Sequence, residues 1–417
     1  MEKLMIVGGN RLQGSLRASG SKNAALPILA ACLLHAGTSV IREVPRLQDI
    51  ATMCDVLVYL GARVEREGTV IRVDASSIQY TEVSEDLMRR MRASNLVLGA
   101  LLGRFHRARI SSPGGCNIGS RPMNLHLKGL RALGAVIEEK FGFISASAGR
   151  LQGVDIHLDM PSVGATENIM MAAVLADGTT VIRNAAKEPE VVDLQNFLNR
   201  MGARVKGAGT DVIRVEGVKK LYSVEHVVIP DRIEAGTYLV AAAVTGGDVT
   251  VTNIIPEHLE PLTAKLREAG VEVRANDDSL RVLARGRPRA VDIKTMPYPG
   301  FPTDMQPQMM ALAAMAEGTS VITETVFENR YKHVSELRRM GADIRVEGQT
   351  AIVKGVARLS GAPVEATDLR AGAALVLAAL AAENGTVLEG LEHIDRGYER
   401  FEQKLCGLGA KVMRVHS

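Results

Sequence analysis

The apolar positions of this chain repeat on two scales. Within short windows they fall at helical spacing, as at Val191, Leu194, Phe197 and Leu198, or gather into β-branched runs such as Thr38-Ser39-Val40-Ile41. Over longer stretches the same series of elements returns. An apolar, small-residue helix (24–34, 308–315) leads through a tight turn into a strand (37–41, 178–182, 318–322), and then into an amphipathic helix that ends at a glycine. That glycine recurs roughly every seventy residues, at Gly61, Gly134, Gly202, Gly270, Gly341 and Gly409. Glycine suits the left-handed position where a helix stops. The chain therefore reads as six copies of one α/β unit. The first helix of each copy has no polar face, which predicts helices inside and sheets outside, three units to a lobe. The period alone leaves a row and two clusters both open. The long interruption at the second copy, which a solenoid would not need, favours clusters.

About forty residues before each marker glycine, where the first helix begins, polar or charged residues collect. They are Lys22-Asn23, Arg92-Ala93-Ser94, Ser162-Val163-Gly164, Arg232-Ile233-Glu234, Thr303-Asp304 and Asp368-Leu369-Arg370. Ser162, Asp304 and Asp368 are good N-caps in their own right. Lys22, Arg92 and Arg370 are not, because the N-terminus of a helix is electropositive. Cations placed there suggest an anion shared with the helix dipole. Lobes that faced each other would bring these ends to one cleft.

The second copy differs from the others. It carries the loop Pro113-Gly114-Gly115-Cys116-Asn117-Ile118-Gly119-Ser120-Arg121-Pro122. Cys116 has no apolar stripe around it, and Arg121 is close enough in sequence to favour its thiolate. A loop this rich in glycine suits a mobile lid. Cys116 thus reads as a reactive thiol, whereas Cys32, Cys54 and Cys406 fall within helical patterns and read as packing. Arg121-Pro122 opens the second helix of its copy, and Asp395-Arg396-Gly397 and Glu328-Asn329-Arg330 stand at the matching places of the last and fifth. With Lys22 and Arg92, such arginines suit a phosphate and a carboxylate held together. Asp304 is either a cap or a carboxylate able to accept a hydroxyl proton. His126, His333 and His393 lie near helices and read as structural.

Composition narrows the classes. The 417 residues suit two or three domains, and 3 % aromatics without Trp require aliphatic cores. A net charge of +3 gives no case for nucleic-acid binding. The N-terminal apolar run is too short for a signal peptide, and stretches such as 373–382 fall short of the ~20 residues of a membrane helix. The cysteines show no metal-type spacing, and free thiols point to the cytoplasm. There is no Gly-x-x-x-x-Gly-Lys-Ser/Thr loop, and Gly207-Ala208-Gly209 lacks the helix start of a dinucleotide fingerprint. That argues against ATP and NAD, and neither a cofactor nor a metal is expected.

Six segments together carry a family resemblance: Ser21-Lys22-Asn23-Ala24-Ala25, the Cys116 loop, Ser162-Val163-Gly164-Ala165-Thr166, Phe301-Pro302-Thr303-Asp304-Met305-Gln306, Thr325-Val326-Phe327-Glu328-Asn329-Arg330 and His393-Ile394-Asp395-Arg396-Gly397-Tyr398-Glu399-Arg400. The chain resembles, from end to end, the UDP-N-acetylglucosamine 1-carboxyvinyltransferases, the enolpyruvyl transferases that open peptidoglycan synthesis. The shikimate enolpyruvyl transferases share the fold without the cysteine loop. The resemblance implies an inside-out α/β barrel of two lobes with three repeats each. One lobe would take residues 1–21 plus 230–417, the other 22–229. It implies transfer of the enolpyruvyl group of phosphoenolpyruvate to the 3-hydroxyl of UDP-N-acetylglucosamine, with release of phosphate. Cys116 would protonate the phosphoenolpyruvate methylene, form an adduct with it and be alkylated by the epoxide fosfomycin. Lys22 and Asn23 would contact phosphoenolpyruvate, Arg121 and Arg396 its phosphate, and Arg370 its carboxylate. Arg92, Arg121, Pro122, Met123, Asn124, Leu125, Ser162, Val163, Gly164, Asp304 and Val326 match nucleotide-sugar positions, with Asp304 taking the hydroxyl proton. Two positions depart: Asn124 stands where members usually have Asp beside the uracil, and Met160 where some carry Lys at the diphosphate.

Overall fold

The computed structural model describes residues 2–111 and 123–416. Cys116, Arg121 and Pro122 lie outside them, as does the side chain of Arg92.

Six sheets follow one plan. In the first, Thr38–Arg42 pairs in parallel with Glu225–Val227 and antiparallel with Val70–Asp74, which in turn pairs with Arg63–Glu67. The sheets centred on Thr179–Arg183, Asp248–Thr252, Thr319–Thr323 and Gly385–Glu389 have the same order. The sheet of Arg107–Ser111 has three strands, and its parallel edge shrinks to a single bridge between Glu82 and Arg109. The plan follows from the sequence order within a copy. A parallel neighbour needs a helical crossover, which the inner helix supplies, and the strands after the glycine stop close as a hairpin. All six marker glycines have positive φ, from +86° at Gly270 to +107° at Gly61. A side chain at such a position would strain the backbone.

Two strands are exchanged between halves of the chain. Gln13–Arg17 precedes the helix Lys22–Ala31 but pairs with Asp248–Thr252, whereas Glu225–Val227 precedes Arg232–Val244 but pairs with Thr38–Arg42. The described residues accordingly form two compact units, one of 2–19 and 230–416, the other of 20–111 and 123–229. The N-terminal strand Glu2–Val7 fills the last sheet, between Gly385–Glu389 and Lys411–His416.

Each unit has its own aliphatic core with helices inside and sheets outside. In the first unit Arg232–Val244, Gln306–Ala313 and Leu369–Ala381 pack on one another, and the last is buried from Arg370 to Leu380. In the second, Lys22–Ala31, Val97–Phe105 and Val163–Ala173 are buried almost throughout. The central strands alternate instead, as in Thr179–Arg183, where Thr180 and Ile182 point inward. This is the inside-out α/β architecture. Among the described residues no helix is long and apolar enough to cross a membrane.

Three local expectations are corrected. Cys406 is exposed, with Sγ 3.2 Å from the carbonyl of Val412, because it lies on the outer face of a short terminal helix. Arg330 precedes the helix Val334–Arg339, and Arg396 falls between Leu391–Ile394 and Phe401–Gly407, so both occupy turns rather than helix starts. Asp304 does not cap its helix. It lies inside a 3-10 turn, Thr303–Met305, and its carboxylate is engaged elsewhere.

The core of the second unit holds one ill-placed acid. Glu167 is 3 % exposed, and its Oε1 has no hydrogen-bond partner among the described residues. Burial first, then the neighbouring Glu190 and Glu188, raises its pKa well above 4.5. A raised folded pKa means that the favourable contribution exists below the unfolded value of 4.5 and is lost as pH rises. Glu167→Gln should therefore stabilise the protein by about 1–2 kcal/mol near pH 8 and by less near pH 5. Urea unfolding at the two pH values measures this, and an equal or inverted gain would contradict it.

Candidate active site

In the first unit the candidate site is built around Asp304. The turn that carries it is held from below by Glu324, a fully buried residue just after the strand Thr319–Thr323. Glu324 Oε2 accepts from Thr303 Oγ1 at 2.9 Å. Its Oε1 accepts from the backbone N–H of Val326 at 2.9 Å and of Phe327 at 3.2 Å. One carboxylate thus sets both the Asp304 turn and the Val326 segment.

Two arginines grip Asp304 itself. Arg330 Nη2 donates to Oδ1 at 2.9 Å, and Arg370 Nη2 donates to Oδ2 at 3.1 Å. Both arginine side chains are almost fully buried, while 26 % of the Asp304 side chain remains exposed. Arg370 follows the cap Asp368, which accepts from its backbone N–H at 2.9 Å. Burial alone would lower the pKa of Arg370. Asp304, then Tyr398 and Asp231, outweigh it and raise the pKa above the usual arginine value. The guanidinium lies over the Tyr398 ring, 5.5 Å from its centroid, and the Tyr398 hydroxyl meets Thr237 Oγ1 at 3.0 Å. Arg370 Nη1 has no hydrogen-bond partner among the described residues. A buried cationic donor in that state is a ready contact for an anionic ligand.

Arg396 is held in place through its neighbour. Asp395 accepts from both Nη atoms of Arg414, at 2.9 and 2.7 Å. Arg414 also reaches Glu402 at 3.0 Å and Glu2 at 2.9 Å, so the first and last strands together fix this turn. A cavity of about 680 Å³ beside Pro261, Tyr298 and Phe301 contains none of these residues.

In the second unit Lys22 is the first residue of its helix, with Ser21 as the cap. Lys22 Nζ donates to Asp49 Oδ2 at 2.9 Å, and both residues are buried. The cation that a helix dipole would repel is thus matched by a carboxylate from the next helix, Gln48–Leu60. Asn23 is half-buried beside it. Arg92 opens the 3-10 turn Arg92–Leu96. Met123 is buried, Asn124 exposed and Leu125 half-buried at the start of the helix Asn124–Ala132. Ser162 Oγ caps Val163–Ala173 by accepting from the backbone N–H of Ala165 at 3.4 Å, and Val163 and Gly164 are half-buried. Met160 is 55 % exposed.

Within the first unit the structure brings Asp304 and Arg370 into contact and ties both to the Val326 segment. Arg330, read from its matched repeat position as an arginine suited to an anion, pairs with Asp304. Two partners carried no assigned role in the sequence. Glu324 and Asp49 gave no signal, because an acid near a strand end or in a first helical turn is ordinary.

Residues 6–405 match the family model described as EPSP synthase (3-phosphoshikimate 1-carboxyvinyltransferase). The chain is 60 % identical over 420 residues to UDP-N-acetylglucosamine 1-carboxyvinyltransferase 1 of Symbiobacterium thermophilum, covering 99 % of this chain and 95 % of that protein. It is 60 % identical over 418 residues to UDP-N-acetylglucosamine 1-carboxyvinyltransferase 2 of Carboxydothermus hydrogenoformans, with 100 % of each covered. Among solved structures, the enolpyruvyl transferase NikO from Streptomyces tendae matches with a TM-score of 0.89 at 28 % identity, covering 100 % of this chain and 99 % of that one. EPSP synthase from Acinetobacter baumannii matches with a TM-score of 0.75 at 19 % identity over 100 % of both chains, a likeness of fold.

Proposed function

The chain belongs to the enolpyruvyl transferase family, and we propose that within it this protein transfers the enolpyruvyl group of phosphoenolpyruvate to the 3-hydroxyl of UDP-N-acetylglucosamine, releasing phosphate. The product opens peptidoglycan synthesis. One observation carries the assignment of roles: Asp304, partly exposed, held between two buried arginines, each with a donor that has no partner among the described residues, Arg330 Nε and Arg370 Nη1.

The reaction assigns work to each residue type. Cys116 gives its proton to the methylene carbon of phosphoenolpyruvate, leaving C2 cationic. The sugar 3-hydroxyl attacks C2 and passes its proton to Asp304. The two arginines hold the Asp304 carboxylate in a fixed orientation, where it accepts the proton as the hydroxyl attacks. The tetrahedral intermediate then returns a proton from the former methylene to the Cys116 thiolate and expels phosphate. Lys22, Arg121 and Arg396 stabilise the leaving charge, and Asn23 completes that contact. Arg370 turns Nη1 to the carboxylate while Nη2 stays on Asp304, so a single guanidinium aligns donor and base. Arg92, the segment from Arg121 to Leu125, Ser162 to Gly164 and Val326 hold the nucleotide sugar. An asparagine at 124 both donates and accepts, which suits a uracil edge.

Phosphate release from the purified protein tests this. Phosphoenolpyruvate with UDP-N-acetylglucosamine should give steady release, and with shikimate 3-phosphate none. Turnover of shikimate 3-phosphate alone would refute the assignment.

A further inference from the structure

We propose that Asn168 is a positioning residue for the nucleotide sugar, its carboxamide tying together the three segments of the second unit assigned to that ligand. The inference rests on that assignment. Asn168 is fully buried in the second turn of Val163–Ala173. Its Oδ1 accepts from the backbone N–H of Gly99 at 2.7 Å. A backbone N–H only donates, so this bond decides which end of the carboxamide is oxygen. Nδ2 therefore faces the carbonyl of Asn95 at 3.3 Å and Nδ1 of His126 at 2.9 Å. Because Nδ2 donates, Nδ1 of His126 accepts, and the ring of the neutral histidine carries its proton on Nε2. Asn95 closes the network, its Nδ2 lying 3.0 Å from Sδ of Met123.

Each partner belongs to a different segment. Asn95 is in the turn that begins at Arg92. Met123 and His126 bracket Asn124 and Leu125. Asn168 itself stands on the helix whose cap and first residues are Ser162, Val163 and Gly164. The packing leaves no slack around it. A Cβ on Gly99 would stand 2.2 Å from the Asn168 carbonyl oxygen, and one on Gly164 2.9 Å from Cε1 of His126. Loss of the carboxamide is therefore transmitted to the three segments. A polar residue at the centre of an apolar core costs free energy unless its bonds are met, and here they are met by groups that need a fixed orientation. Asn168 acts through these neighbours, so its effect falls on binding.

Calorimetric titration of UDP-N-acetylglucosamine, with KM and kcat for both substrates, tests the role in wild-type protein and in Asn168→Ala. The variant should raise Kd and KM for the nucleotide sugar roughly tenfold, with KM for phosphoenolpyruvate changed less than about twofold and kcat less than about threefold. A natively folded variant with an unchanged nucleotide-sugar Kd overturns the proposal, and so does an equal loss in every parameter. His126→Phe keeps a ring and removes the acceptor. It carries the same expectation and decides the matter should Asn168→Ala not fold. A wild-type protein that binds no UDP-N-acetylglucosamine overturns the functional assignment and this role with it, whereas a binding wild type with an unaffected variant overturns this role alone.

Discussion

Asp304→Ala should lower kcat by about two to four orders of magnitude, the range general-base catalysis supplies, and should also weaken the fold. The two losses have one cause. Arg330 Nη2 and Arg370 Nη2 lie 2.9 and 3.1 Å from the carboxylate, and both side chains are almost fully buried. Without Asp304 the two buried guanidinium groups lose the carboxylate they share. Removing one partner of a buried ion pair costs about 3 kcal/mol or more. Asp304→Asn separates the effects. Its size is unchanged, but one of the two positions filled by a carboxylate oxygen must now be filled by an NH2 group facing a guanidinium. Activity should fall nearly as far as for Ala, with a smaller loss of stability. Steady-state phosphate release and urea unfolding on both variants check this. Activity within about tenfold of wild type in either would end the base assignment.

Cys116→Ser should reduce turnover by about three orders of magnitude while UDP-N-acetylglucosamine still binds. A hydroxyl is a far weaker acid than a thiol, so the proton needed at the methylene carbon is no longer offered near neutral pH. Cys116 is not among the residues assigned to the nucleotide sugar. The same reasoning predicts a chemical signature, because the thiolate is the nucleophile toward an epoxide. Fosfomycin should add once to the wild-type protein and not to Cys116→Ser. The other cysteines make poor competitors for different reasons. Burial pushes the Cys32 thiol up to about 12 and the Cys54 thiol up to about 11. Cys406 is exposed, but its thiol is engaged by the Val412 carbonyl, 3.2 Å from Sγ. Intact-mass spectrometry with peptide mapping reads the site. An adduct on Cys32, Cys54 or Cys406 in place of Cys116 would remove the thiol from the mechanism.

Both predictions start from residues legible in the sequence, yet only one of them could be weighed from it. Cys116 stands out in one dimension, since a glycine-rich loop with a central thiol interrupts a repeat that five other copies keep. Asp304 was ambiguous there. An acid after Pro302-Thr303 at a helix start is an ordinary cap, and the alternative needed the two arginines, which come from positions 330 and 370.

Local chemistry determined the repeat. Glycines at a fixed interval, apolar helices without a polar face and β-branched strands dictate six α/β units with helices inward, because each of these features acts within a few residues of itself. Tertiary structure alone decided the partners. The exchange of Gln13–Arg17 and Glu225–Val227 between sheets, the pairing of Lys22 with Asp49 and the grip of Arg330 and Arg370 on Asp304 join residues distant in sequence. Such contacts form where buried charge must find its counter-charge and where a strand edge must find a neighbour. Those demands are met in space, and the order of residues along the chain carries no mark of which distant group will meet them.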